Sequence, residues 1–164
     1  MKAGVLIALI FVVVLPCNAA DRVLVQVPAV LDPHVALSDG VKRECPVESL
    51  LGNQVFRMVS MKFPRSLQIE KPDGTEKESV LALTILRIVA AEGGYGSGPK
   101  SLSVRADLIQ SGKVIATMEK ERESGFGSRW TTCALLEHAA ALIGRDIANW
   151  LPTVLGGQVS TEPR

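Results

Sequence analysis

Three cysteines, two histidines and two glycine-rich runs are the features of this 164-residue chain best suited to chemistry. Gly93-Gly94-Tyr95-Gly96-Ser97-Gly98, followed by Pro99-Lys100-Ser101, has the outline of a phosphate-binding loop, which needs Gly, four residues, Gly, Lys and then Ser or Thr. Pro99 intrudes between glycine and lysine. Such a loop must also open a helix, whose first N–H groups hold the phosphates, whereas the residues after Lys100 alternate as a strand does. The run therefore reads as a connection between strands. For nucleophilic chemistry the candidates are Cys133 and several serines, with His34 and His138 as bases. Cys133 and His138 stand five apart on a predicted helix, about 140° around its axis, so they do not form a dyad on one face. No Gly-x-Ser-x-Gly elbow occurs, because Tyr95 stands two residues before Ser97. Two histidines without acidic residues at ligand spacing give no zinc pattern. Arg105 with Asp107, and Glu119 with Glu121, lie two apart on strand faces. Paired carboxylates can exchange protons, but alternating charges are also the ordinary outer face of an antiparallel sheet, and that reading is adopted. No catalytic residue, metal or cofactor is expected.

The compartment follows from the amino terminus. Lys2, the apolar run Val5 to Leu15, Pro16 and the small residues Ala19 and Ala20 have the three-part layout of a secretory signal peptide. The apolar run is well short of the roughly 20 residues that span a bilayer, so no permanent membrane span is expected. Cleavage after Ala19 puts Cys17 and Ala19 at the two positions that favour small residues. In Val14-Leu15-Pro16-Cys17 proline replaces the Gly or Ala of a lipoprotein signal, so acylation of Cys17 is not expected. Removing the first 19 of the 164 residues leaves 145, a usual size for one domain. Lys2 is the only charge lost, which leaves 17 basic and 17 acidic side chains. That balance gives no electrostatic pull towards nucleic acid or an anionic membrane. The product is predicted to be periplasmic or secreted. Cys45 and Cys133 survive processing in a compartment where disulfides persist, and pairing is the expectation. The alternative is a reactive thiol at a helix amino terminus.

The elements that must position these residues can be read from periodicity. Val23, Val25 and Val27 mark a first strand that ends near Pro28, and Ala29 to Glu44 is irregular. Pro46 suits a first helical position, and Val47, Leu50, Leu51, Val55, Met58 and Val59 recur at helical spacing until Pro64 forbids continuation. Leu67 and Ile69 begin a second strand, and Pro72-Asp73-Gly74 is a turn. Val80 to Val89 reads as a central strand. Leu102, Val104, Ala106 and Leu108 form one face of the next, and Ser111-Gly112 turns the chain into a last strand with Val114, Ala116 and Met118 inward and Thr117, Glu119 and Glu121 outward. A long helix from about Thr132 to Leu151 carries Leu136, Ala140, Ile143, Ile147 and Trp150 as its stripe, and Pro152 with Gly156-Gly157 ends it. The prediction is an α+β, two-layer sandwich: a mostly antiparallel sheet of about five strands with two helices, in the order β-α-β-β-β-β-α. Residues 1–19 are the signal peptide, 20–152 one domain and 153–164 a flexible tail.

The run Leu102 to Ala116, the glycine-rich residues after the last strand and the closing Ile147-Ala148-Asn149-Trp150-Leu151 resemble an uncharacterised family of exported bacterial proteins. That family is similar in outline to the amino-terminal domain of TolB and to the lipoprotein activators of penicillin-binding proteins. The resemblance runs from Val80 to Leu151. It implies an envelope interaction domain and carries over no functional residue. The absent lipoprotein signal is a departure from many of its members.

Strand direction then nominates a surface. A strand rising to Val89, one descending from Leu102 and one rising from Val114 bring Gly94-Tyr95-Gly96 and Gly125-Phe126-Gly127 to one end of the sheet, with Arg129 and Trp130 close behind. Aromatic and arginine side chains anchor interfaces, so Tyr95, Phe126, Arg129 and Trp130 are the predicted binding residues. The alternative has Phe126 and Trp130 capping the core and Tyr95 solvated. The same reasoning sets a conflict for the cysteines. If the strands after Pro72 meander, Cys45 and Cys133 fall at opposite ends of the sheet, unless Glu123 to Thr132 runs back along it. The function expected is that of a non-enzymatic exported binding or adaptor domain whose partner is another envelope protein. The alternatives are an envelope enzyme with a site hidden from sequence spacing, and a purely structural secreted domain.

Overall fold

A computed structural model describes residues 22–90, 98–124 and 131–157. In chain order the elements are β1 (Val23–Gln26), β2 (Val30–Leu31), α1 (Asp39–Glu44), α2 (Val47–Lys62), β3 (Leu67–Ile69), β4 (Ser79–Val89), β5 (Lys100–Gln110), β6 (Lys113–Ser124) and α3 (Thr132–Gly157). The fold is a two-layer α+β sandwich, with the helices stacked on one face of a single mixed sheet of order β3-β1-β4-β5-β6. The long ladders, β4 with β5 and β5 with β6, are antiparallel. The short ones, β1 with β3, β1 with β4 and β2 with β4, are parallel.

Period-two burial builds the sheet's inner face. Val23, Val25, Leu81, Leu83, Ile85, Leu102, Val104, Ala106 and Leu108 are all buried in one cluster beneath the helices. Each large aliphatic side chain so buried contributes about 1.5–3 kcal/mol. Val47, Leu51, Val55 and Val59 supply the stripe of α2, and Leu136, Ala140, Ile143, Ile147 and Leu151 that of α3. The two helices run in the same direction, because Gln54 Nε2 donates to Glu137 Oε1 at 2.9 Å and, further along both, Lys62 Nζ donates to Asn149 Oδ1 at 2.6 Å. They touch at Gly144, where an added Cβ would stand 3.0 Å from the Gln54 carbonyl oxygen and 3.2 Å from Val55 Cα.

Three features differ from the expectations. The segment expected to be irregular holds β2 and the short helix α1, which Ser38 caps by accepting from the Val41 N–H at 3.3 Å and which buries Val41. Serine in that place is a favourable cap. Helix α3 does not stop at Leu151 but continues through Pro152 to Gly157. Proline removes one backbone donor, yet Leu151 is buried and Val154 and Leu155 pack on the core, so the packing outweighs the lost bond. The expected boundary at residue 152 thus falls inside a helix, and residues 158–164 lie outside the described part. Third, Pro72-Asp73-Gly74 does not close a hairpin. Strand β4 runs parallel to β1, which itself runs parallel to β3, so residues 70–78 must carry the chain back past β1. The helices occupy the inner face, and this return lies over the outer one, where Leu24 and Val80 are also buried. Its turn is locally fixed: Asp73 accepts from the Thr75 hydroxyl at 2.7 Å and the Thr75 N–H at 2.8 Å, bonds that hold its carboxyl below the ordinary carboxylate range. The rest of the outer face is solvated and charged, with Arg87 paired to Glu121 and Thr117 donating to Asp107.

Candidate functional site

The end of the sheet nominated by strand direction is the end at which both long helices begin. Val89 of β4 lies opposite Ser101, and Lys100 of β5 opposite Ser124 of β6, so the residues flanking both glycine-rich runs stand side by side there. Tyr95, Phe126, Arg129 and Trp130 themselves lie outside the described residues. What is described is the frame on either side of these runs.

That frame is tied at several points. Thr131 caps α3, its hydroxyl accepting from the Ala134 N–H at 3.2 Å and its carbonyl from the Leu135 N–H at 3.1 Å. Cys133, in the first turn of α3, is joined by a disulfide to Cys45, which sits between α1 and α2, with the Cα atoms 5.2 Å apart. Cys133 is therefore a cross-link and not a thiol nucleophile. His138 is exposed on α3 beside Gln54, Arg57 and Glu137, at an open groove between the outer sides of α2 and α3 of about 310 Å³. His34 is exposed as well, and its backbone N–H donates to Asp32 Oδ1 at 2.9 Å. Among the described residues no group of three or more His, Cys, Asp or Glu stands close enough to hold a metal ion. Nor is any described helix long and apolar enough to cross a membrane.

The residue that sequence reasoning passed over is Lys100. In the sequence it stands out only as the lysine after a glycine-rich run, yet it is 0% exposed at the end of β5. Burial removes water from the ammonium and holds its pKa below the usual 10.5. Beside it, Ser124 is equally buried and knots the ladder end, accepting from the Lys100 N–H at 3.2 Å and donating to the Lys100 carbonyl at 3.0 Å. The signal was present in the sequence: Lys100 has the parity of Leu102, Val104 and Ala106, so the alternation that sends those side chains inward sends it inward too.

No protein-family model matches the chain, and no curated protein matches it. Solved structures do. The PelC dodecamer from Paraburkholderia phytofirmans superposes with a TM-score of 0.54 at 12% identity, covering 80% of this chain and 87% of that one. Protein XCC0632 from Xanthomonas campestris, of the DUF330 family, gives 0.51 at 20% identity over 86% of this chain and 87% of its own. At such identities the likeness is one of architecture alone. What they establish is that this arrangement of sheet and helices is one that known proteins adopt over nearly their whole length.

Proposed function

We propose that this protein is a non-enzymatic, exported domain of the bacterial cell envelope that binds or bridges other envelope proteins, through Tyr95, Phe126, Arg129 and Trp130 at the helix-start end. The observation that carries the proposal is the Cys45–Cys133 disulfide at this end, since such bridges persist in oxidising compartments. The signal-peptide layout of residues 1–19 points the same way, as does the resemblance of Val80 to Leu151 to an uncharacterised family of exported bacterial proteins. PelC, a protein of similar fold, forms a dodecamer, which supports a role through assembly and makes a second copy of this chain a candidate partner.

The test is affinity capture from envelope extracts with the oxidised mature protein, its Tyr95→Ala and Phe126→Ala variants in parallel. Thermal stability nearly unchanged in both, with capture of the same partner weakened, is the expected outcome. Loss of folding in both variants, or full retention of capture, returns these rings to the core or to irrelevance.

A further inference from the structure

Midway along β4 the sheet has a gap. Strand β1 pairs with Ser79–Leu81 and β2 with Thr84 and Ile85, but between them Val27-Pro28-Ala29 swings towards the helices. Val27 comes so close to α2 that a Cβ on Gly52 would stand 3.1 Å from its Cγ1, and the Ala29 N–H donates to the Glu48 carbonyl at 3.1 Å. The swing leaves a depression of about 470 Å³ on the opposite, outer face, with Ala29 and Ala82 among its lining and Val30 half-exposed beside them. It also leaves an amide. Gln26 Oε1 accepts from the Leu83 N–H at 3.2 Å, standing in for the strand acceptor that the swing removes. Gln26 is only 6% exposed and lines the depression, and its Nε2 donor has no partner among the described residues. That donor faces the depression, where a carbonyl can accept from it.

Among the described residues β2 pairs with β4 alone, and β3 ends at Ile69, so no strand lies along the other side of β2. Glu70 and Lys71 stand at the rim of the depression, and neither is in an ion pair among the described residues. We propose that this is a binding site for an extended peptide segment. The segment adds alongside β2, places one small apolar side chain in the depression and gives a backbone carbonyl to Gln26 Nε2. Charge complementarity to the rim asks for a basic residue towards Glu70 and an acidic one towards Lys71. In strand addition the ladder supplies affinity and the side-chain pocket specificity. With only two residues in β2, the depression and the amide carry most of the recognition. The site is on the outer face of the sheet and does not depend on the loops at the helix-start end.

The experiment selects a library of random dodecapeptides displayed on phage against the immobilised mature protein, then measures synthetic copies of the enriched peptides on wild type and on A82L. Leucine at this half-buried, outward position fills the depression without entering the core. Gln26→Glu is the second variant, since it keeps an acceptor for the Leu83 N–H and loses the donor. Enriched peptides with a small apolar centre between a basic and an acidic residue, at least tenfold weaker on both variants and moving the Gln26 side-chain amide resonances, are expected. A selection that enriches none, or peptides that bind both folded variants within tenfold of wild type, overturns the proposal.

Discussion

Cys45 and Cys133 are 88 residues apart in sequence, yet their Cα atoms stand 5.2 Å apart across the starts of two parallel helices. The meeting rests on the direction of β4. Strand β1 ends where α2 begins, and β4 runs parallel to β1, so two further reversals bring the end of β6, and with it the start of α3, to the same end. A hairpin at Pro72-Asp73-Gly74 would have reversed that parity and left the cysteines at opposite ends. The bridge closes a loop long enough to remove about 4 to 5 kcal/mol of chain entropy from the unfolded state. Cys45→Ser with Cys133→Ser is expected to lose stability of that order in urea unfolding, and the oxidised denatured parent to show no reactive thiol on titration. Two thiols per parent chain would refute the bridge.

Gly144 sets the distance between α2 and α3. Gly144→Ala places a methyl 3.0 Å from the Gln54 carbonyl oxygen and 3.2 Å from Val55 Cα. Backbone atoms in a helix cannot turn aside as a side-chain tip can. The helices must separate, at a cost of about 1 to 3 kcal/mol. Calorimetry of G144A showing unchanged or raised stability would mean that the helix pair repacks freely.

These positions show why some of the fold was legible and some was not. Strand β5 reads plainly because Leu102, Val104, Ala106 and Leu108 alternate with Ser103, Arg105 and Asp107, and one face meets helices while the other meets water. Helix α2 reads from its ends, Pro46 and Pro64. The direction of β4 does not, because Pro72-Asp73-Gly74 is good turn chemistry whether the chain returns as a hairpin or passes over β1. The continuation of α3 through Pro152 was hidden for another reason: local propensity argues for a stop, and only the packing of Leu151, Val154 and Leu155 overrules it. At the candidate site the sequence located the end of the sheet, while the buried state of Lys100 needed the parity of β5 carried one residue further back. The gap beside Gln26 was invisible because nothing local says that Val27-Pro28-Ala29 leaves the sheet towards Gly52.

Lys100 should give stability a recognisable pH dependence. Burial holds its ammonium below 10.5, so the folded protein releases this proton at a lower pH than the unfolded chain does. Below the folded pKa both states are protonated and the burial penalty is present in full. As pH rises from there to 10.5 the unfolded state binds more protons than the folded one, and stability rises with pH. Other titrating groups cancel when wild type is compared with Lys100→Met. The unfolding free energy of wild type minus that of K100M is expected to increase between neutral pH and 10.5. A flat or falling difference would show that the buried ammonium is not disfavoured.

The outer edge of β6 is expected to resist pairing with a second copy of itself. It is a twelve-residue edge strand, and a long unpaired edge invites edge-to-edge association. A closed two-fold pair of such edges is antiparallel, with residues of the same face opposite one another. In the upper half of β6 the outer face carries Glu119, Glu121 and Glu123, while the inner side carries Lys120 and Arg122. Registers that lay this half on itself therefore set glutamate against glutamate and base against base, each pair costing up to about 1 kcal/mol. The lower half is guarded differently, by the register shift between Leu108 and Ile109 that leaves Ile115 unpaired. Replacing Glu119, Glu121 and Glu123 together by threonine removes the repulsion on the outer face and adds a good strand former. The triple variant is expected to associate through this edge, so that Lys120→Cys in its background forms an oxidative cross-link that Lys120→Cys in the parent does not. Equal cross-linking in the two backgrounds would show that the alternating charges do not govern this edge.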